Sequence, residues 1–376
     1  MRSRCLRIFA SLTILASAGA LGHPEELVEG FEKPNDVPRA MPNDSEQFGR
    51  PLWEIDAKVP FIGSPVHEKM IVEAITLSQV HGRPYKLDYD DAYIRGAFWN
   101  DDPDDLLCPG CSVANMLEFD RRWGVAFALR FDRAKHRARG GNGVPPYFFS
   151  GADGLMERSH FGDLQFLHGM ATRDGEPAIE TQRKILVWAE FTYKVATGSL
   201  DQRTQIHNVP ISGIRELFAS NPQVSALRIE QLFRGNRNAK RVAIGSLLHM
   251  VHDSYALGHA QREVLDFAGP DGATMFSRGA IQEFHCYTNQ DPDKHKLDDK
   301  WPEQLRSWKL GRDDEPISVS ARILQFMYAN QGLGAPWEEV ETYLRSVVFN
   351  VSINASPSSP GEKYRLQSSD TLGATK

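Results

Sequence analysis

Between Leu248 and Ala260 four titratable side chains, His249, His252, Asp253 and His259, interrupt a run with the spacing of a core helix. Ile244, Leu247, Leu248 and Val251 form its apolar face. Burying imidazoles and a carboxylate beside such a face is costly unless each group is hydrogen-bonded or shares a cation. Any fold of this chain must therefore close polar partners around the segment. His249 and Asp253 are four apart and share one face of a helix. His259 follows a Leu257-Gly258 step where the helix ends or bends. A helical alternative pairs His252 with His259, seven apart on one stripe. Two imidazoles and a carboxylate within eleven residues form a nitrogen–oxygen set suited to zinc. Hydrogen-bonded structural histidines are the competing account, and the adjoining apolar face favours metal.

The rest of the chain reads as helical. Val66, Met70, Ile71, Ala74 and Leu77 recur at three- and four-residue steps over 66–80, and similar patterns cover 178–197, 223–234, 239–260, 316–330 and 336–350. Alternating strand-like runs are nearly absent. Gly- and Pro-bearing loops at 100–115 and 138–155 are long enough to be functional. The expectation is an all-α fold, a single multi-helix domain over 53–350. Residues 1–22 read as a signal peptide: Arg2, Arg4 and Arg7 precede the apolar run Ile8–Leu21, with Ala18-Gly19-Ala20 as a cleavage site. That run is shorter than the roughly 20 residues of a membrane span. Residues 23–52 form a polar, proline-bearing leader, and 351–376, rich in Ser, Pro, Thr and Gly, read as a disordered tail. The expected product is a secreted protein, extracellular or periplasmic, with no transmembrane segment. Cys108-Pro-Gly-Cys111 suits a tight local disulfide or half of a structural zinc site, although no second CxxC completes the latter. With 43 Lys and Arg against 49 Asp and Glu, the net charge is −6, which argues against a general duplex-DNA binder. No G-x-S-x-G and no P-loop occur.

The spacing of His249, Asp253 and His259 resembles the H-x3-D-x5-H helix of the zinc-dependent phospholipase C and S1/P1 nuclease superfamily. Further elements follow in that family's order. His67 opens the first periodic helix. Trp99-Asn100-Asp101 matches W-x-D, with Asp102 and Asp104 as neighbours that could substitute. Ser159-His160-Phe161 matches a histidine followed by an aromatic, with His168 as rival. His295 and Asp299 match H-x3-(E/D), with His285 as rival; Asn289, four residues beyond it, is a poorer ligand than a carboxylate. The match covers 67–299, with longer stretches between Asp101 and His160 and between His259 and His295 than small family members have.

The resemblance implies up to three Zn²⁺ ions. Asp101, His160, His249 and Asp253 would hold one, and His259, His295 and Asp299 a second. The third would sit on His67, share Asp253 as a bridge, and take the amino-terminal residue of a chain matured at Trp53; if signal cleavage alone sets the mature end, the chain begins near His23 and this site needs another ligand. Asp101 is also the carboxylate expected to orient or deprotonate an attacking water. The activity implied is cleavage of the glycerol-side phosphodiester of a phospholipid, phosphatidylcholine above others, with a membrane or micelle surface as partner and no specific nucleic acid. The alternatives are a single-strand nuclease on the same fold, which needs aromatic stacking platforms, and a non-catalytic, zinc-stabilised binding protein. Tyr147-Phe148-Phe149 could serve a lipid interface or a nucleic acid, or simply pack.

Overall fold

In a computed structural model of the chain, the described residues are 66–81, 92–103, 129–141, 144–233, 238–268, 274–291, 294–295 and 315–366. The signal, the leader, Trp53, Asp104, Cys108, Cys111 and Asp299 lie outside them. The numbered helices are α1 (Val66–Ser78), α2 (Ala92–Asp101), α3 (Leu155–Phe161), α4 (Ala178–Thr197) and α5 (Ala239–Asp253), followed after a hairpin by α6 (Pro316–Gly332) and α7 (Trp337–Tyr343); shorter ones, among them Ile214–Phe218, lie between α4 and α5. The hairpin pairs β1 (Ala260–Ala268) antiparallel with β2 (Thr274–Phe284). At 58% helix and 9% strand the fold is mainly α. Among the described residues, no helix is long and apolar enough to cross a membrane.

Helix α5 is the axis of the core, with only Lys240 outside its buried set. It crosses α2 at a pair of glycines. A Cβ added to Gly96 would lie 2.3 Å from the Val242 carbonyl oxygen, and one added to Gly245 would lie 2.3 Å from that of Tyr93. This backbone approach brings the C-terminal end of α2 against the His249 turn of α5. Trp99, Asn100 and Asp101 then take three separate roles. Trp99 stacks on Trp188 of α4 with centroids 5.2 Å apart and donates its indole N–H to the Leu232 carbonyl. Asn100, fully buried, donates to the carbonyls of Leu167 at 2.6 Å and Ser246 at 3.1 Å. Asp101 is left to face outward from the helix end. Helix α6, started by Pro316 and capped by the Glu315 carboxylate accepting from the Ile317 and Ser318 N–H groups, packs on α1.

Three expectations change. The hairpin β1–β2 stands where no strand was read, because its pairing is sustained by contacts that periodicity does not carry. Arg262, at a bulge in β1, is buried with its guanidinium donating to the Ser254 and Val348 carbonyls and lying 4.1 Å from the Tyr255 ring centroid. The expected tail is ordered through 366: Val351, Ser359 and Arg365 bridge to Ile281, His285 and Gln290, and buried Ser358 exchanges hydrogen bonds with Glu176. The stretch 178–197 forms one helix as read, but others are shorter than expected. The one at 223–234 splits into turns Pro222–Ser225 and Ile229–Leu232, 239–260 stops at Asp253, and residues 129–139 add an unexpected helix. Cys286 is a free thiol, and its burial pushes its pKa up to about 12.

The glycine crossing makes a direct prediction. Gly245→Ala would gain about 1 kcal/mol of helix propensity but overpack the α2–α5 contact, at a cost of about 1–3 kcal/mol or more. A lowered Tm is expected; a raised one would show that the two helices separate freely.

Candidate metal centre

Helix geometry places His249 above Asp253, with Nε2 2.9 Å from Oδ2. The 3-10 turn Gln165–His168, held in place by the Asn100 bond to Leu167, brings His168 Nδ1 to 2.9 Å from the same oxygen and 3.2 Å from His249 Nε2. His67, in the first turn of α1, reaches Asp253 Oδ1 at 3.2 Å. Asp253 is therefore a hub whose two oxygens meet three imidazoles. Four ligands at 2.0–2.1 Å on a tetrahedral zinc stand about 3.3 Å apart, a little more than the 2.9–3.2 Å that separates these contacting donors. Two groups of donor atoms lie within 4.8 Å of one another: His67, His249 and Asp253, and Asp101, His160 and His168. His249 joins them, at 4.0 Å from Asp101 Oδ1.

The hydrogen bonds behind these rings fit metal ligation. His160 Nδ1 lies 3.0 Å from the Met156 carbonyl, His259 Nδ1 2.7 Å from the His168 carbonyl, and His295 Nδ1 2.9 Å from Gln290 Oε1. An oxygen of that kind only accepts, so each Nδ1 carries its proton, which makes Nε2 the nitrogen with the lone pair in each neutral ring. Hydrogen bonds of this kind, made behind the ring, orient histidines for metal ligation. Gln290 is fixed the right way round because its amide nitrogen donates to the Gly258 and Pro360 carbonyls, both at 2.8 Å. Gly258 has no room for a side chain, since a Cβ there would meet His295 Nδ1 at 2.7 Å. Tyr287 joins the two halves of the site, its ring centroid 5.9 Å from His160, 6.0 Å from His259 and 5.0 Å from His295.

Burial and charge oppose each other throughout. Burial disfavours the Asp253 carboxylate, yet the charges of His249, His259 and His67 hold its pKa well below the usual carboxylate range. Burial likewise disfavours a charged His249, but Asp253 and Asp101 outweigh it and bring its pKa up to about 9. His160, buried and beside His168, is pushed well below 6.5. The cluster thus stores negative charge that protons or a divalent cation must answer.

Of the sequence-derived ligands, His67, Asp101, His160, His249 and Asp253 converge, with His259 and His295 alongside, their ring centroids 4.7 Å apart. Asp299 lies outside the described residues. The division into sites differs from the one implied: His249 and Asp253 group with His67, whereas Asp101 and His160 group with His168. His168 is a partner of His160 and not its replacement, because the two rings lie 4.7 Å apart. His285 turns away, with Nδ1 on the Gly258 carbonyl and its ring beside Tyr364. His252 does not pair with His259. The helix ends between them, and His252 Nε2 faces Ser320 Oγ of α6 at 3.0 Å while its ring stacks on His67. Sequence reasoning passed over Gln290, Tyr287 and Glu68. Glu68 adjoins His67 and is buried, which, with Asp101 nearby, raises its pKa to about 7.

Replacing Gln290 by Leu removes the acceptor that sets the His295 tautomer, and should weaken binding of a divalent metal ion at the centre by about 10–100-fold. Gln290→Glu, which keeps an acceptor, should lose less. Competitive titration with a chromophoric chelator measures both, and equal affinities would refute the role. Acid stability offers a second check. Burial lowers the His285 pKa from 6.5 to about 4. The unfolded chain therefore binds the proton first, so stability is full above pH 6.5 and falls as pH drops towards 4, by up to about 3 kcal/mol. His285→Gln should flatten the fall of Tm across that window; an unchanged profile would count against it. No protein-family model, curated protein or solved structure matches the chain.

Proposed function

We propose that the chain is a zinc-dependent phosphodiester hydrolase of the phospholipase C type, acting on phospholipids, with phosphatidylcholine the leading candidate. The observation that carries the reading is the convergence of His67, His168 and His249 from separate chain segments on the buried Asp253 carboxylate, with Asp101, His160 and His168 forming an adjoining group of donors. Zinc there supplies Lewis-acid polarisation of a phosphoryl oxygen and an acidified water.

The exposure of the donors favours catalysis over a closed structural site. His249, Asp253 and His168 are at most 2% exposed, whereas Asp101 is 38% and His67 25% exposed. The set is sealed on the core side and reached by solvent at these two residues, and access for water and substrate is what a catalytic zinc site needs and a closed structural one lacks. Asp101, at the open edge, is placed to accept a proton from an attacking water or to orient it. Asp253 and the imidazoles on it hold the charge balance fixed while the substrate phosphate approaches. Under this reading the protein works outside the cytoplasm once residues 1–22 are removed.

Dialysis against chelator should abolish hydrolysis of phosphatidylcholine and p-nitrophenyl phosphorylcholine, and zinc should restore it. Asp253→Asn should lower bound zinc and reduce turnover by at least about a hundredfold. A fully active Asp253→Asn variant defeats the cluster assignment. Hydrolysis of single-stranded DNA or RNA without any action on lipid moves the reading to a nuclease. Zinc binding with no hydrolysis moves it to a zinc-stabilised binding protein.

A further inference from the structure

Seven large hydrophobic side chains are exposed among the described residues, and four of them, Leu129, Val144, Tyr147 and Phe148, lie in one stretch of twenty residues. Every residue from 144 to 148, including Pro145 and Pro146, is exposed. The turn presenting them is fixed. Gly141 and Val144 bond reciprocally through their backbones at 2.8 and 2.9 Å, and Gly140, at φ 67°, leaves no space for a Cβ against the Val144 carbonyl. Behind the turn runs the helix 129–139, which carries Arg130, Arg133, Lys135, Arg137 and Arg139 against the single acid Asp132. The Arg137 guanidinium lies over Tyr147 at 4.3 Å and over Phe149 at 4.9 Å.

This unit is attached to the candidate metal centre. Phe149 bridges to Gly162, just past His160, and Arg130 pairs with Glu157 on α3, the helix that carries His160. Phe131 meets the His160 ring edge-on at 5.1 Å. Arg139 donates to the Gln290 carbonyl at 3.0 Å. A rigid apolar tip rimmed by cations is the composition that seats a protein in an anionic bilayer surface, with apolar groups in the acyl boundary and cations at the headgroups.

We infer that the 144–148 turn and the basic helix behind it dock the protein onto anionic phospholipid surfaces, with the metal centre held beside the bilayer. The choice of lipid over another partner rests on the phospholipase reading. A single-stranded nucleic acid would need open aromatic faces for stacking. Here one face of Tyr147 is taken by Arg137, and the tip itself is Val144, Pro145, Pro146 and Phe148.

The test is flotation of the zinc-loaded protein with phosphatidylcholine vesicles, with and without phosphatidylglycerol, in the cold. Binding should require phosphatidylglycerol. A Val144→Ser/Phe148→Ser double variant should bind at least tenfold more weakly and hydrolyse vesicles at least tenfold more slowly. Both replaced side chains are exposed, so Tm and the rate on soluble p-nitrophenyl phosphorylcholine should be unchanged. Arg133→Glu should lose the preference for phosphatidylglycerol. Undiminished vesicle binding by the double variant overturns the proposal, as does wild-type binding to single-stranded DNA with none to vesicles. Vesicle binding that depends on the turn, together with no hydrolysis of any phosphodiester, sinks the phospholipase reading and leaves the docking surface standing.

Discussion

A carboxylate buried to 2% exposure cannot stay ionised without nearby positive charge, and Asp253 meets that demand with three imidazoles in contact. Much of the architecture serves this requirement. Helix α5 supplies Asp253 and His249, α1 supplies His67, and the turn after α3 supplies His168. Each of these segments carries an apolar face that packs into the core, so the charged centre is assembled by hydrophobic burial and not by its own attraction. Removing one imidazole leaves the rest buried and unbalanced, and breaking a buried charge set in this way costs more than the set contributes when intact.

Placing the donors to a few tenths of an ångström falls to groups that never touch the cluster's centre. The Gly96–Gly245 approach sets the distance from Asp101 to His249. Asn100 converts the position of α2 into the position of the His168 turn. Gln290 ties together the His295 ring, the Gly258 carbonyl and the C-terminal segment at Pro360. The 350–366 segment belongs to this scaffold: its backbone closes over β2 and the His285 turn, although its Ser- and Pro-rich composition suggests a solvated tail. Composition predicts disorder when a segment must fold alone, and this one borrows partners from a finished core.

Spacing along one helix was legible wherever the helix itself was. The i, i+4 relation of His249 and Asp253 follows from 3.6 residues per turn, and so does the sharing of a face by Ile244, Leu247 and Leu248. The histidine at 67 and the aspartate at 101 were recognisable by their order in the chain. Choosing between His160 and His168 was not possible from sequence. Both rings reach the centre, because α3 ends at Gly162 and the turn Gln165–His168, held by Asn100 at Leu167, follows within a few residues. The hairpin was missed for a related reason: strand pairing depends on the partner and on burial more than on local preference.

By itself the sequence determined a mainly helical chain and the central helix with its buried histidines and carboxylate, because these rest on local periodicity and on the cost of burying charge; His67, Asp101 and His160 followed only from a family resemblance. Tertiary structure alone decided which donors share a group, which histidines turn away, and which amide and glycine positions hold them. Those outcomes depend on distances across the core between segments up to nearly two hundred residues apart in sequence, and no local pattern encodes them.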